Sequence, residues 1–211
     1  AYLVRERFLK AQEYRDAIAR AGDDVSKLPA RDLGLEALVE VMSGARIVHH
    51  HTHRADDIMT VLRLADEFGF RVVLHHVSEA WVVADEIAAY EGVDGPDGEP
   101  WGAPCSIILI DSPGGKLEAA SLILETGGVL EKAGAQVAIH TDDWITDSRL
   151  FLRYAALAVR AGMSREAALR ALTIEGARML DMSDRVGSLE VGKDAGSLDR
   201  QRAERRLTRH A

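Results

Sequence analysis

Cysteine is nearly absent from this chain of 211 residues, and the single thiol at Cys105 excludes any disulfide within it. Long apolar runs are also missing. None approaches the ~18 residues that a membrane-spanning helix needs, so no membrane partner is expected. No signal peptide is visible, but the chain does not begin with Met, so the compartment is left open, with the cytoplasm as the default. Basic residues are outnumbered 26 to 34 by acidic ones, and a net charge of -8 argues against nucleic acid as a partner.

What the chain does contain is an alternation of short apolar runs and longer amphipathic segments. The hydrophobic share of 47% suffices for a buried core, and the length favours a single domain. Strands alternating with helices predict a parallel sheet covered on both faces. The predicted strands are 46–52, 71–77, 106–111 and 136–141, and the predicted helices are 1–20, 32–42, 55–68, 79–91, 117–133 and 147–161.

Histidine and aspartate are concentrated where these predicted strands end. The first strand ends in the run H-H-H-T-H at 49–53, the second reaches His76, and the fourth leads to Asp142. In parallel α/β folds, functional sites form at the carboxyl ends of the strands. Because side chains alternate between the faces of a strand, we expect one face to gather His51, His76 and Asp142.

Two imidazoles and a carboxylate are ligands that suit Zn²⁺ and similar cations. The sequence therefore predicts a divalent metal site, with zinc favoured, formed by His51, His76 and Asp142. Asp142 can also move a proton to and from the water that the metal activates. His53 lies one step beyond the ligand position and is a candidate for substrate contact. For the remaining histidines, a structural role is favoured: His49, His50, His75 and His140.

Other polar residues near the strand ends have simpler interpretations. The run S-P-G-G-K at 112–116 can hold an anion through its backbone N–H groups, but a plain turn with an exposed Lys116 is favoured. Asp56, Asp57 and Glu79 open predicted helices, where carboxylates favour the positive end of the helix dipole. We interpret these three as helix-capping residues.

Several segments together resemble the amidohydrolase superfamily, in its imidazolonepropionase-like and prolidase-like branch. The C-terminal runs A-L-T-I-E-G-A-R at 171–178 and D-R-V-G-S-L-E-V-G-K-D-A at 184–195 resemble its signature. The segments 51–58, 74–79 and 137–143 resemble its fifth, sixth and eighth strand ends. The resemblance implies a metal-dependent (β/α)8 barrel that hydrolyses amide, cyclic amide or related C–N bonds. It implies that His51 and His76 are metal ligands and that Asp142 is the acid/base.

The chain departs from the family in three ways. A His-x-His pair of the first strand and a bridging residue of the fourth are absent, and four strands are predicted where a closed barrel needs eight. We therefore expect residues 1–195 to form the C-terminal half of the barrel, completed by an N-terminal half or by a second copy. Residues 196–211 are polar and basic, which indicates a frame-shifted end or a genuine basic tail.

The function expected from these observations is that of a metal-dependent amidohydrolase acting on a small molecule with a C–N bond. The alternative is a non-catalytic half-barrel that binds a partner or has no activity of its own. A weaker alternative is an anion-binding module centred on residues 112–116. The loops at the strand ends determine which substrate is bound, and the sequence does not reveal that specificity.

Overall fold

The computed structural model describes residues 1–110, 116–143 and 145–194. Within these residues, strands and helices alternate as predicted. The strands are β1 (Val48–Thr52), β2 (Val72–His76), β3 (Cys105–Ile107) and β4 (Val137–Ile139). The α-helices are α1 (Tyr2–Ala21), α2 (Leu33–Met42), α3 (Ala55–Phe68), α4 (Ala84–Ala89), α5 (Thr126–Ala133), α6 (Phe151–Arg160), α7 (Arg165–Ala171) and α8 (Ile174–Met179). Nowhere in the described ranges is a helix long and apolar enough to cross a bilayer.

The four strands form one parallel sheet in the order β1-β2-β3-β4, so each strand lies beside its neighbour in sequence. A helix follows each strand and returns the chain to the amino end of the sheet. This is the connection that parallel strands require. The predicted α/β fold, with four parallel strands and flanking helices, is confirmed.

The two faces of the sheet are buried to different extents. One face packs against the helices and holds most of the core, with Leu74, Cys105 and Leu130 fully buried. On the opposite face, a small cluster joins Val73, Ala138 and Met179. Because hydrophobic burial is the main favourable term in folding, the helix-covered face carries most of the stability.

Three predicted helices are shorter in the structure. The segment 79–91 contains a 3-10 turn at Ala80–Val82 and then α4, and α6 begins only after a 3-10 turn at Ser148–Leu150. The segment 117–133 starts with a 3-10 turn at Leu117–Ala119, and α5 begins at Thr126. α5 packs closely against the backbone at Gly162 because residue 128 is glycine. A Cβ at Gly128 would lie 2.8 Å from the backbone carbonyl carbon of Gly162.

The amino end of the sheet is fixed by Arg71, which precedes β2 and is 5% exposed. Its guanidinium donates to Asp181 Oδ1 at 2.8 Å and to the carbonyl of Gly44 at 2.8 Å. It also lies 4.8 Å from the ring centroid of Trp101. The indole of Trp101 in turn donates to the carbonyl of Val72 at 3.0 Å. Trp101 is therefore a packing residue at the end opposite to the predicted site.

Candidate metal centre

Three histidines meet at the carboxyl ends of β1 and β2. His51 belongs to β1, His53 follows it directly, and His76 ends β2. One ring nitrogen from each lies within 4.8 Å of the other two. His53 and His76 are buried, at 2% and 7% exposure, whereas His51 is exposed. The structure thus brings His51 and His76 together as the sequence predicts, and it adds His53 to them.

The backbone at the end of β2 explains how His76 reaches this cluster. The strand register pairs His51 with His75 and Thr52 with His76, so strict alternation would place His76 on the helix-covered face. His76 and the following Val77 instead have φ angles of 68° and 44°. At this point the strand pattern ends, and the ring of His76 lies 4.3 Å from the ring of His51, centroid to centroid. The reason that we gave for their meeting, a shared face, is therefore wrong.

The hydrogen bonds of His53 define which of its nitrogens carries the proton. Its Nε2 lies 3.0 Å from the Nζ of Lys116, and its Nδ1 lies 2.7 Å from the Oγ of the buried Ser78. An ammonium group only donates hydrogen bonds, so Nε2 accepts and Nδ1 carries the hydrogen that Ser78 accepts. Nε2 therefore presents a lone pair to the cluster, which is the form that a metal ligand needs.

Lys116 is the residue that sequence analysis placed wrongly. We expected an exposed side chain at the end of a turn, but its Nζ lies 3.2 Å from His51 Nε2 as well as 3.0 Å from His53 Nε2. The carboxylate of Glu118 is 3.6 Å from the same ammonium. No sequence pattern indicates this position, because Lys116 and His51 are 65 residues apart in the chain.

Asp142 lies at the edge of the histidine cluster. Its Oδ2 is 4.0 Å from His76 Nε2, and its side chain is 47% exposed. The backbone at Asp142 has a φ of 49°, which is uncommon for a residue other than glycine. The carboxylate is therefore within reach of a cation held by His76. Its roles as ligand and as acid/base stay predictions.

Three of the remaining histidines form hydrogen bonds with one another or with the sheet. His49 Nδ1 lies 2.9 Å from His75 Nε2, and His140 Nδ1 lies 2.9 Å from Ser106 Oγ. Burial, followed by the neighbouring imidazoles, lowers the pKa of His75 to about 4. Burial also lowers the pKa of His49 and His50. These contacts agree with the structural role that we favoured.

Of the three carboxylates interpreted as capping residues, Asp56 and Asp57 lie at the start of a helix as expected, whereas Glu79 has a different partner. Glu79 Oε2 accepts a hydrogen bond from the backbone N–H of Ala55 at 2.9 Å, so it caps α3 rather than its own segment. Asp56 lies in the first turn of α3 and pairs with Arg54 at 3.0 Å. Asp57 also lies in that turn. These contacts link the loops after β1 and β2 and hold the histidine-bearing segments in place.

Some predicted features lie outside the described residues. They are the glycine run at 112–115 and the basic tail at 196–211. The domain boundary at residue 195 is therefore still a prediction, as is anion binding by the glycine run.

The histidine cluster has the composition of a zinc site. Zinc is bound by histidine nitrogens at about 2.0–2.1 Å, which places tetrahedral ligand atoms about 3.4 Å apart. The observed limit of 4.8 Å exceeds this, so small side-chain rotations would bring the three nitrogens into range. The Asp142 carboxylate, 4.0 Å from His76, can supply an oxygen ligand. The residues present therefore fit a divalent metal ion.

Comparisons with known proteins point in the same direction. A model of the amidohydrolase family matches residues 117–196. Amidohydrolase tasK of Hapsidospora irregularis is 27% identical over 165 residues, which are 78% of this chain and 16% of that protein. A crystal structure of an amidohydrolase from Thermotoga maritima superposes with a TM-score of 0.80 at 31% identity, covering 92% of this chain and 48% of the other.

A second similar structure holds a metal. It is an adenosine deaminase from Xanthomonas campestris with bound zinc, and it matches with a TM-score of 0.50 at 25% identity, over 89% of this chain and 46% of that one. The chain thus spans about half the length of the structures that it matches. Its four parallel strands agree with the predicted half of a (β/α)8 barrel.

Proposed function

We propose that this chain, which belongs to the amidohydrolase superfamily, carries part of the catalytic centre of a metal-dependent hydrolase that cleaves C–N bonds. The observation that carries this proposal is the meeting of three imidazoles at the ends of two adjacent strands, with a carboxylate 4.0 Å from one of them. Zinc is the favoured ion, because the donor atoms are nitrogen and oxygen and because one similar structure holds zinc.

Each residue of the cluster would have a definite task. His51, His53 and His76 would hold the metal, with Ser78 accepting a hydrogen bond from His53 and fixing its ring. The metal, when bound, lowers the pKa of a water molecule and polarises the bond under attack. Asp142 would accept the proton of that water and deliver it to the leaving nitrogen. For His53, the geometry supports a ligand role better than the substrate contact that we expected.

The proposal covers the substrate class and not a particular substrate. An amide, a cyclic amide, a dipeptide or an amino-substituted ring all present a polarisable carbon bound to nitrogen. The zinc-bound adenosine deaminase among the similar structures supports such chemistry. Completion of the barrel by further strands would supply the rest of the pocket, since specificity in this fold lies in the loops at the strand ends.

A zinc titration with matched histidine variants tests the proposal. We expect the chain to bind about one zinc ion, and we expect His76→Ala or His53→Ala to weaken binding by roughly 100-fold, since each removes a direct ligand. His51→Ala removes the exposed ligand and should have the same direction of effect. The measurement is competition against a chromophoric zinc chelator at pH 7.5, with circular dichroism to show that each variant is folded.

His49→Ala is the matched control. His49 lies on the same strand as His51, two residues away, and contacts His75 rather than the cluster. Its removal should change zinc affinity by less than about threefold. Equal losses for the control and for the cluster variants would contradict the proposed site. Failure of the wild-type chain to bind zinc would favour the non-catalytic half-barrel.

A further inference from the structure

Lys116 contacts the histidine cluster, but the proposed hydrolytic reaction gives this residue no task. Its Nζ contacts the Nε2 atoms of two of the three candidate ligands, His51 at 3.2 Å and His53 at 3.0 Å. Its side chain is 31% exposed, so the ammonium lies at the edge of the protein rather than in the core. A lysine of this kind can change its rotamer without disturbing the sheet.

The contacts of Lys116 use the lone pairs that a metal ion would need. An ammonium has donors only, so both imidazoles accept from it through Nε2. Ser78 holds the His53 ring with Nδ1 as donor, which leaves Nε2 as the available ligand atom. A cation bound within about 2.1 Å of both Nε2 atoms cannot share these lone pairs with the ammonium.

We propose that the ammonium of Lys116 and a divalent metal ion compete for the same two imidazole nitrogens, so that metal enters the site by displacing Lys116. This inference rests on the proposed metal site and adds a device that sets its affinity. In the metal-free protein, Lys116 keeps the histidines close together by supplying a positive charge and hydrogen-bond donors. When metal binds, charge repulsion and the loss of both acceptors release the side chain.

Glu118 provides a partner for the displaced ammonium. Its Oε1 already lies 3.6 Å from Lys116 Nζ, and its side chain is 47% exposed. The ammonium can therefore keep an ion pair with Glu118 while it leaves the imidazoles. The exchange is local, because both residues lie on one short segment, with Glu118 in the 3-10 turn Leu117–Ala119 and Lys116 directly before it.

The first test compares zinc affinity in two lysine variants. Lys116→Met removes the competing ammonium and keeps a flexible side chain, so zinc should bind about tenfold more tightly, as expected for the loss of charge-assisted hydrogen bonds. Lys132→Met is the matched control, because Lys132 lies on the exposed surface of α5. Its zinc affinity should stay within about twofold of the wild type. Both are measured by chelator competition at pH 7.5.

The second test needs no variant and separates competition from a general effect of charge. Amines held in hydrogen bonds react slowly with acetylating reagents, so Lys116 should be acetylated several-fold faster once zinc is added, as followed by peptide mass spectrometry. Lys132 should react equally fast with and without zinc.

The outcomes distinguish the two proposals. Unchanged or weaker zinc binding by Lys116→Met, while the wild type binds through His53 and His76, would overturn the competition and leave the metal site intact. So would acetylation of Lys116 that zinc does not accelerate. If neither the wild type nor Lys116→Met binds zinc, the metal site itself fails, and the competition fails with it.

Discussion

The two ends of the sheet differ in how their polar groups are arranged. At the amino end, Arg71 is buried and bonds to two fixed acceptors, the carboxylate of Asp181 and the carbonyl of Gly44. At the carboxyl end, His51 and His53 accept hydrogen bonds from a lysine that is partly exposed. Both ends bring charged or polar groups together, but the cation at the amino end is buried, whereas the cation at the carboxyl end is 31% exposed.

The backbone shows the same contrast. Four residues other than glycine have a positive φ in the described ranges, and three of them, His76, Val77 and Asp142, lie at the carboxyl end. The fourth, Asp181, is held by Arg71. A positive φ costs free energy and persists only where the surrounding structure enforces it. The amino end therefore has one strained residue held by a buried ion pair, whereas the carboxyl end has three strained residues around the histidine cluster.

The largest expected effect is on stability, from Arg71→Ala at the amino end. The change removes a bidentate ion pair and leaves the Gly44 carbonyl without its donor, so we expect the free energy of unfolding to fall by about 2 kcal/mol. Zinc affinity should stay within about threefold of the wild type. Urea denaturation measures the first and chelator competition the second.

Arg63→Ala, on the exposed face of α3, is the control for that experiment and should shift stability by less than about 0.5 kcal/mol. A loss of zinc affinity in folded Arg71→Ala would show that the two ends of the sheet are coupled. This result would contradict their separate roles.

A smaller effect is expected from Asp142→Asn at the carboxyl end. The side chain is 47% exposed, so stability should change by less than about 0.5 kcal/mol. Zinc affinity should fall roughly fivefold to tenfold, because the amide of asparagine lacks the negative charge that the carboxylate of Asp142 supplies to the cation. Isothermal titration calorimetry measures the affinity. Unchanged binding would remove Asp142 from the ligand set and leave it the role of acid/base alone.

A separate effect is expected on the pH dependence of stability in the metal-free chain. The pKa of His75 is about 4 in the folded protein, against 6.5 for the ordinary group. Between these values, the unfolded chain binds more protons than the folded one, so the free energy of unfolding falls as pH decreases from 6.5 towards 4. In His75→Gln this fall should be smaller, as measured by urea denaturation at several pH values.

His49→Gln provides the comparison for the pH experiment. The pKa of His49 is also lowered by burial, but this residue is exposed at the edge of the sheet and should contribute less. An identical pH dependence in the wild type and in His75→Gln would show that the folded protein does not disfavour the charge at His75.

The strands and their parallel order were predictable, because short apolar runs between amphipathic segments have few other solutions. The observed strands lie within or next to the predicted runs, and α3 has the predicted bounds of 55–68. The helices after β2 and β3 were not predictable in length. Close packing of Gly128 against Gly162 and the turns before α4 and α5 depend on neighbours that a local pattern does not contain.

The candidate site was predictable in part. The positions of His51 and His76 at strand ends predicted that they come together. The cause is the positive φ of His76 rather than the alternation of side chains along the strand. His53 was expected at the site for substrate contact rather than among the candidate ligands, and the contacts of Lys116 were missed. A side chain after the last residue of a strand no longer follows the strand period, so its direction depends on the loop.

From the sequence alone came the candidate ligand types, the alternation of strands and helices, and the resemblance to the amidohydrolase superfamily, because these depend on residue type and local spacing. Two sets of contacts became visible only in the tertiary structure. Lys116 donates hydrogen bonds to His51 and His53, and Arg71 pairs with Asp181 at the opposite end of the sheet. Those contacts join residues 65 and 110 positions apart, and only the packing of the sheet and its helices brings such pairs within hydrogen-bond distance.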